Sequence, residues 1–334
     1  MYFKDYPINF FMLDCGLHMA YQTFGNKNNT PIILLEGMGS DMYAYNDKYC
    51  IIPLIKLGYY VIRIEHRDNG QSDFMTNRKI KKIKHGLPYM INKYSKGVYP
   101  LITDNIPYTL YDIVDDIRQL LDFLKIDKLY LVGHSMGGMI AQIFSLLYRS
   151  RTLGLLLCST SSEQLASHLP SALLIKDIFS VIFSQKKNSP IRDYRQAHYK
   201  YFKTMCGDLV EPNYLKKYSN KKYDTLSVHP LEYKKGGDRQ LLSILACPSR
   251  TIALNMFQLL PLTRIPIHII HGTKDTVLPI DNAFFMLKNI RHSTANIVHG
   301  AGHCMCKPFF KEIISILNNI KNENNIKNEN NINK

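Results

Sequence analysis

The sequence predicts an α/β fold in which a mostly parallel central sheet is flanked by helices and carries an inserted, mainly helical cap. Strand-like apolar runs alternate with helix-like patterns along the first half of the chain, which is typical of strands connected by helices. A glycine-rich turn at 133–138 joins one such strand directly to a helix. About 100 residues then separate the strand predicted at 154–158 from the next one at 265–270, and a connection of that length must fold on its own.

Apolar periodicity and turn residues define the limits of the other predicted helices and strands. The clearest helix is predicted over 110–124, because Thr109 and Asp112 form a capping signature and apolar residues recur at helical spacing. A second helix is predicted over 282–289. Alternating or buried patterns predict a hairpin over 8–24 and strands at 31–35, 60–64, 129–132 and near 296–298.

The length of 334 residues favours one large α/β domain with a smaller inserted domain over two unrelated domains. Helical runs at 172–183 and 240–246 predict that the inserted part is mainly helical. The tail at 319–334 repeats polar hexads with little apolar area, which predicts disorder. We assign the core to 1–159 and 262–318, with a basic insertion at about 76–103, and the cap to 160–261.

Charge and cysteine content indicate which partners and which cellular compartment to expect. Much of the formal net charge of +15 lies in residues 78–97, which hold no acidic residue. Because no nucleic-acid-binding module accompanies this run, we expect a solvated insertion and no nucleic-acid partner, with a nucleic-acid or membrane adaptor as the alternative. Seven cysteines without framework spacing predict free thiols and a cytoplasmic location. No apolar run approaches the roughly 18 residues of a membrane span, and the N-terminal one is too short for a signal peptide, so stable membrane insertion is not expected.

The turn Gly133-His134-Ser135-Met136-Gly137 carries the strongest chemical signal. A G-x-S-x-G sequence between a strand and a helix forms a sharp elbow that exposes the serine hydroxyl, so Ser135 is the candidate nucleophile. A serine hydroxyl becomes nucleophilic when an imidazole accepts its proton and a carboxylate orients that imidazole. Asp275 follows the strand at 265–270 and His303 follows a run of small residues, so they are the candidate acid and base in the chain order that this elbow requires.

The same chemistry needs an oxyanion hole, which is built from the amide after the nucleophile and one amide from the loop after an earlier strand. Met136 supplies the first amide. Met38 lies between two glycines after a buried strand, and its amide is the predicted second donor, with the amides of Gly37 and Gly39 as the alternatives. Gly37, Gly39 and His134 are the candidate substrate contacts.

Two other groups of residues have more than one interpretation. His299, His303, Cys304 and Cys306 are close enough in sequence to suggest a soft-metal site. A metal on His303 would leave the serine without its base, so we predict no metal site. Aromatic residues of the cap either line a substrate pocket or only pack the cap, namely Tyr194, Tyr199, Tyr201, Phe202 and Phe257.

Taken with their order, these motifs resemble the α/β-hydrolase superfamily and, more narrowly, its aclacinomycin methylesterase-like and carboxylesterase branch. The resemblance implies an α/β-hydrolase fold with a helical cap over the site and a serine hydrolase that needs no cofactor. Glu36 departs from the pattern, because many relatives carry histidine there. A serine elbow also argues against haloalkane dehalogenases and epoxide hydrolases, whose elbow residue is aspartate. The matching stretches are 34–39, 66–72, 108–138, 237–241, 269–279 and 300–303.

We therefore expect a hydrolase that cleaves carboxylic esters through an acyl-enzyme intermediate, with a small-molecule ester or lipid as substrate. Monoacylglycerol lipase or lysophospholipase activity is the first alternative, and thioesterases and carbon–carbon hydrolases use the same three residue types. A non-catalytic ligand-binding relative is the alternative from another class, although all three candidate residues are present here. The sequence does not define the oligomeric state.

Overall fold

The computed structural model of the chain describes residues 6–75, 106–162, 191–210, 230–246 and 265–332. Within these segments the strands form one eight-stranded sheet. The strands are β1 (Asn9–Met12), β2 (His18–Phe24), β3 (Thr30–Leu35), β4 (Tyr59–Ile64), β5 (Leu129–His134), β6 (Thr152–Cys158), β7 (Ile267–Gly272) and β8 (Ser293–Val298).

The sheet has the strand order β1-β2-β4-β3-β5-β6-β7-β8. β2 pairs antiparallel with both β1 and β4, and every other neighbouring pair is parallel. The predicted α/β class with a mostly parallel sheet is confirmed, as is the N-terminal hairpin. Because parallel strands end at the same edge of a sheet, the loops after β3, β5 and β7 meet there.

Helices cover both faces of this sheet. Ile33 and Leu35 of β3 belong to one buried cluster, and Ile32 and Leu34 belong to another, as expected when successive side chains of a strand point to opposite faces. The described helices are α1 (Ile52–Lys56), α2 (Leu110–Phe123), α3 (Met136–Leu147), α4 (Ile191–Cys206), α5 (Pro230–Ala246), α6 (Asp281–Asn289) and α7 (Lys307–Ile332). The predicted capping box of Thr109 and Asp112 is present at the start of α2.

Helices α4 and α5 lie in the part of the chain that the sequence assigns to a cap. The run predicted at 240–246 forms the last part of α5, which begins ten residues earlier in sequence at Pro230. The helix predicted at 172–183 and the basic insertion at about 76–103 lie outside the described residues. The division into core and cap therefore stays a prediction.

The C-terminal segment differs from its predicted disorder. Helix α7 continues to Ile332, and no proline or glycine follows Pro308 to interrupt it. Its middle is held against the core, because the Tyr59 hydroxyl donates to the Leu317 carbonyl at 2.8 Å and the Lys321 ammonium donates to the Leu57 carbonyl. Searching the described residues for a helix both long and apolar enough to cross a bilayer finds none.

The loop after β4 is attached to its surroundings by buried polar contacts. Arg67 donates to both carboxylate oxygens of Asp116 on α2, with Nε to Oδ2 at 2.7 Å. His66 Nε2 donates to the carbonyl of Glu36 in the loop after β3, at 3.3 Å. These contacts fix the position of the loop after β4 against both the core and the neighbouring loop.

Helix α5 packs on the same loop through one of its faces. Arg239 donates to both oxygens of Asp68, with Nε to Oδ2 at 2.7 Å, and both side chains are almost fully buried. One turn earlier, the backbone of Gly236 approaches so closely that a Cβ there would overlap the Asp68 carbonyl. Gly237 has nothing within 4 Å of the corresponding position.

These two adjacent glycines give a matched stability test. We expect Gly236→Ala to lower the free energy of unfolding by roughly 2 kcal/mol, because the added methyl meets backbone that cannot rotate away. Gly237→Ala should raise it by up to about 1 kcal/mol, since alanine has the higher helix propensity. Urea unfolding of both variants measures the difference. Equal stability of the two variants would contradict the close approach of α5 to Asp68.

Buried His66 predicts a pH dependence of stability. Burial lowers its pKa to about 4, and its Nδ1 has no hydrogen-bond partner within the described segments. In the unfolded chain the pKa of His66 returns to about 6.5, so the unfolded state binds the proton first as the pH falls. The free energy of unfolding therefore decreases as the pH falls from about 6.5 to about 4.

We expect the wild type to lose up to about 1.4 kcal/mol per pH unit through this residue as the pH falls from about 6.5 to about 4. His66→Gln keeps a donor for the Glu36 carbonyl but cannot take up a proton, so its stability should fall less steeply. Urea unfolding at a series of pH values measures both slopes. If the free energy of unfolding had the same pH dependence in the wild type and in His66→Gln, the pKa of His66 would be the same in the folded and unfolded states.

Candidate active site

Ser135 occupies a strained turn at the edge of the sheet. It lies between the end of β5 and the start of α3, with φ at +53° and ψ at −118°. Non-glycine residues rarely adopt a positive φ, and they do so where the surrounding structure forces it. The turn packs closely against the neighbouring strand, because a Cβ on Gly137 would overlap the carbonyl of Leu35 in β3. The turn therefore directs the Ser135 hydroxyl away from the sheet edge.

The structure brings Ser135, His303 and Asp275 together, as the sequence predicted for this edge. His303 Nε2 lies 3.0 Å from Ser135 Oγ, and His303 Nδ1 lies 2.8 Å from Asp275 Oδ2. With the proton on Nδ1, the ring donates to the carboxylate and accepts from the serine hydroxyl. The three side chains form one continuous hydrogen-bonded chain from loops that are far apart in sequence.

Asp275 is buried and remains ionised. Its Oδ1 accepts the backbone N–H groups of Val277 and Leu278 at 2.9 and 2.8 Å. Burial alone would raise the pKa of this carboxyl, but the electrostatic interaction with His303 and hydrogen bonds from His271 and His303 outweigh it and hold the pKa well below its ordinary value. The negative charge is thus fixed beside His303.

The loop that carries His303 is held by the C-terminal end of α4. The His303 N–H donates to the carbonyl of Met205 at 2.6 Å, and the Gly302 N–H donates to the carbonyl of Cys206 at 3.1 Å. These carbonyls belong to the last turn of α4, where the helix itself provides no donors. Gly302 is needed at this contact, because a Cβ there would overlap the Met205 carbonyl.

His134 supports His303 from the opposite side. It was predicted as a substrate contact, and it does line the cavity beside Ser135. Its Nε2 donates to the His303 carbonyl at 2.8 Å, so its donor is engaged in holding the loop. Burial and the neighbouring His303 charge lower the pKa of His134 to about 3, and the side chain is therefore neutral near pH 7.

A cavity of about 110 Å³ opens in front of Ser135. Of the predicted cap aromatics, Tyr201 and Phe202 line it, whereas Tyr199 packs beside Phe202. The side chain of Tyr194 and the whole of Phe257 lie outside the described residues. Sequence reasoning missed several lining residues that lie in the last turn of α4 or directly follow His303, namely Met205, Cys206, Cys304 and Met305.

The predicted oxyanion donors flank the serine. Gly37 and Met38 line the cavity, and Met136 is the first residue of α3. Neither the Met38 nor the Met136 N–H donates a hydrogen bond to another described residue. Gly39, predicted as a substrate contact, is not among the residues that line the cavity, and its N–H donates to Gln240 Oε1 at 2.8 Å.

The alternative metal site gains no support from the geometry. Both ring nitrogens of His303 face the side chains of Ser135 and Asp275. Across the described ranges, no group of three or more His, Cys, Asp or Glu side chains is arranged to hold a metal ion.

Several known proteins resemble this chain over part of its sequence. The human serine hydrolase-like protein is 24% identical over 127 residues, which is 38% of this chain and 48% of that protein. Mouse epoxide hydrolase 4 is 24% identical over 135 residues, or 40% of this chain and 29% of that protein. Zebrafish (Danio rerio) maspardin is 40% identical over 67 residues, 20% of each. Each match thus covers less than half of the known protein.

Solved structures match over nearly the whole length. A meta-cleavage product hydrolase from Pseudomonas fluorescens superposes with a TM-score of 0.66 at 19% identity, covering 95% of this chain and 98% of that one. An esterase from Exiguobacterium antarcticum superposes with a TM-score of 0.66 at 19% identity, covering 93% of this chain and 98% of the esterase. At this identity the similarity establishes the fold.

The family model described as the alpha/beta hydrolase fold matches residues 30–308, a range that contains the elbow, Asp275 and His303. The superfamily resemblance is thereby confirmed, while the narrower branch stays a prediction. This chain belongs to the alpha/beta hydrolase fold family.

Proposed function

We propose that this protein hydrolyses carboxylic esters, with Ser135 as nucleophile, His303 as general base and acid, and Asp275 as the residue that orients His303. One observation carries the proposal: the hydrogen-bonded chain Asp275–His303–Ser135 ends on a hydroxyl that faces a cavity. A serine, an imidazole and a carboxylate in this order form the arrangement that activates a serine for acyl transfer.

The geometry supports a two-step reaction. Ser135 Oγ attacks the ester carbonyl as its proton passes to His303 Nε2, and the N–H groups of Met38 and Met136 stabilise the negative oxygen of the tetrahedral intermediate. His303 then protonates the leaving alcohol, and the acyl group remains on Ser135. Water, deprotonated by His303, releases the acid by the reverse sequence, so the proposed mechanism requires no cofactor.

The charge on Asp275 supports both steps. The carboxylate keeps the proton of neutral His303 on Nδ1, which leaves Nε2 as the acceptor, and it stabilises the imidazolium formed after proton transfer. Since the pKa of Asp275 is held well below its ordinary value, the carboxylate stays charged through the neutral range. A serine at the elbow also agrees with acyl transfer more closely than with the epoxide opening that the name of one relative indicates.

The size and lining of the cavity favour a small apolar group on the substrate. The cavity is partly open to solvent and has a volume of about 110 Å³, which is less than the roughly 150 Å³ of a protein cavity known to hold benzene. Phe202, Met205 and Met305 contribute apolar surface to it. We therefore propose a short acyl or alcohol group as the preferred substrate part, with the lipid hydrolases as the alternative.

The nucleophile is tested by Ser135→Ala. We expect turnover of a p-nitrophenyl ester to fall by at least about 10⁴-fold and fluorophosphonate labelling to disappear, because no other oxygen is activated by His303. Ser145→Ala is the matched control, since Ser145 is buried in α3 and donates only within that helix, to the Gln142 carbonyl at 2.8 Å. It should remain active and labelled. Labelling of folded Ser135→Ala would refute the assignment, and a wild type that binds esters without hydrolysis or labelling would support the ligand-binding alternative.

The substrate proposal is tested by a series of ester chain lengths. We expect kcat/KM for p-nitrophenyl acetate and butyrate to exceed that for laurate and palmitate by roughly tenfold or more, because a longer chain does not fit the cavity. Steady-state kinetics of the wild type over the series measures this, with long-chain monoacylglycerols as a further comparison. Preference for the long chains would instead support the monoacylglycerol lipase or lysophospholipase alternative.

A further inference from the structure

Gln240 connects the cap-assigned helix α5 to the two loops beside the candidate site. Its side chain is 1% exposed, and both ends of its amide are engaged. Oε1 accepts the N–H of Gly39 at 2.8 Å, and Nε2 donates to the carbonyl of Arg67 at 3.0 Å. One side chain thus joins α5, the loop after β3 and the loop after β4.

Gly39 belongs to the tight turn that presents the Met38 amide. The Ser40 N–H donates to the Gly37 carbonyl at 3.1 Å, which places Met38 and Gly39 at the two central positions. Gly39 has φ at +65°, a conformation that glycine adopts without strain. The hydrogen bond from Gly39 to Gln240 fixes the peptide plane immediately after Met38, next to the proposed oxyanion donor.

We propose that Gln240 is a positioning residue that holds the turn at Gly37–Ser40 so that the Met38 amide faces the developing oxyanion. This inference rests on the proposed ester hydrolysis and adds to it a dependence of oxyanion stabilisation on the docked helix α5. Gln240 does not touch the substrate. It acts through the backbone of Gly39.

The docking of α5 does not itself depend on Gln240. The ion pair of Arg239 with Asp68 and the close approach of Gly236 to the same loop anchor the helix independently. Loss of the Gln240 amide therefore leaves α5 in place but removes the acceptor of the Gly39 N–H. Since removal of a complete oxyanion donor costs about 10²–10³-fold in kcat, a displaced donor should cost about 10- to 100-fold.

The test compares Gln240→Met, which keeps the length of the side chain without hydrogen bonds, with Gln240→Glu, which keeps the acceptor for Gly39. Ser243→Ala is the matched control, because Ser243 is buried on the same helix and, among the described residues, its hydroxyl donates to the Gln240 carbonyl, at 2.7 Å. Each variant is assayed for kcat and KM on a short-chain p-nitrophenyl ester. Affinity is measured for a short-chain trifluoromethyl ketone, which adds Ser135 to form an oxyanion, and for the matching methyl ketone, which does not.

We expect Gln240→Met to lose about 10- to 100-fold in kcat and a similar factor in affinity for the trifluoromethyl ketone, with KM and methyl ketone affinity changed less than about threefold. The kcat of Gln240→Glu should be at least about fivefold higher than that of Gln240→Met, and Ser243→Ala should behave as the wild type. If Gln240→Met cannot be purified, Gln240→Asn, whose amide is one methylene shorter, takes its place with the same expected pattern.

Two results would overturn the inference while the proposed function stands. One is a kcat of the folded Met or Asn variant within twofold of an active wild type. The other is a parallel loss of affinity for both ketones, which would place the damage in the pocket and not at the oxyanion. A wild type that neither hydrolyses esters nor binds the trifluoromethyl ketone would instead overturn the proposed function itself, and this inference with it.

Discussion

The hydrogen bond between His303 Nδ1 and Asp275 Oδ2, at 2.8 Å, is the interaction on which the candidate site depends. A buried carboxylate is costly unless donors surround it, and here backbone N–H groups, His271 and His303 all point at Asp275. The sheet makes this arrangement possible. β5 and β7 run parallel on either side of β6, so the loops that carry Ser135 and Asp275 end at the same edge.

Helices α4 and α5 of the cap-assigned region form hydrogen bonds with loops at this edge. The last turn of α4 accepts hydrogen bonds from the loop that carries His303, and α5 accepts one from the turn that carries Met38. The candidate base and one proposed oxyanion donor are therefore both positioned by helices outside the sheet. A displacement of either helix would disturb the chemistry as well as the shape of the pocket.

The sequence could predict the parts of the site that follow directly from local pattern. Ser135 and Asp275 each lie just after an apolar strand, and His303 follows a run of small residues, so both the sheet and the order of the three residues could be inferred. The tight turn at Ser135 and the capped helix α2 were predictable for the same reason, because short-range spacing determines them.

Other features could not be predicted, because they depend on contacts between distant segments. Composition alone favoured disorder beyond residue 318, yet contacts of Leu317 and Lys321 with Tyr59 and Leu57 hold α7 against the core. His134 looked like a substrate contact beside the nucleophile, and only the folded chain reveals that its donor reaches the His303 carbonyl. The role of Gln240 depends on a partner 201 residues away in sequence.

The two helices differ in how they hold the site, and this difference separates the shape of the pocket from the position of the proposed oxyanion donor. The hydrogen bonds from His303 and Gly302 to helix α4 go to main-chain carbonyls, while the Phe202 and Met205 side chains of α4 line the cavity. Substitution of these side chains can change the shape of the pocket without removing a hydrogen bond from the loop. Helix α5 holds the turn at Gly39 through the Gln240 side chain, so the same kind of substitution there removes the contact itself. We accordingly expect substitution at Phe202 and Met205 to be better tolerated than substitution at position 240 of α5.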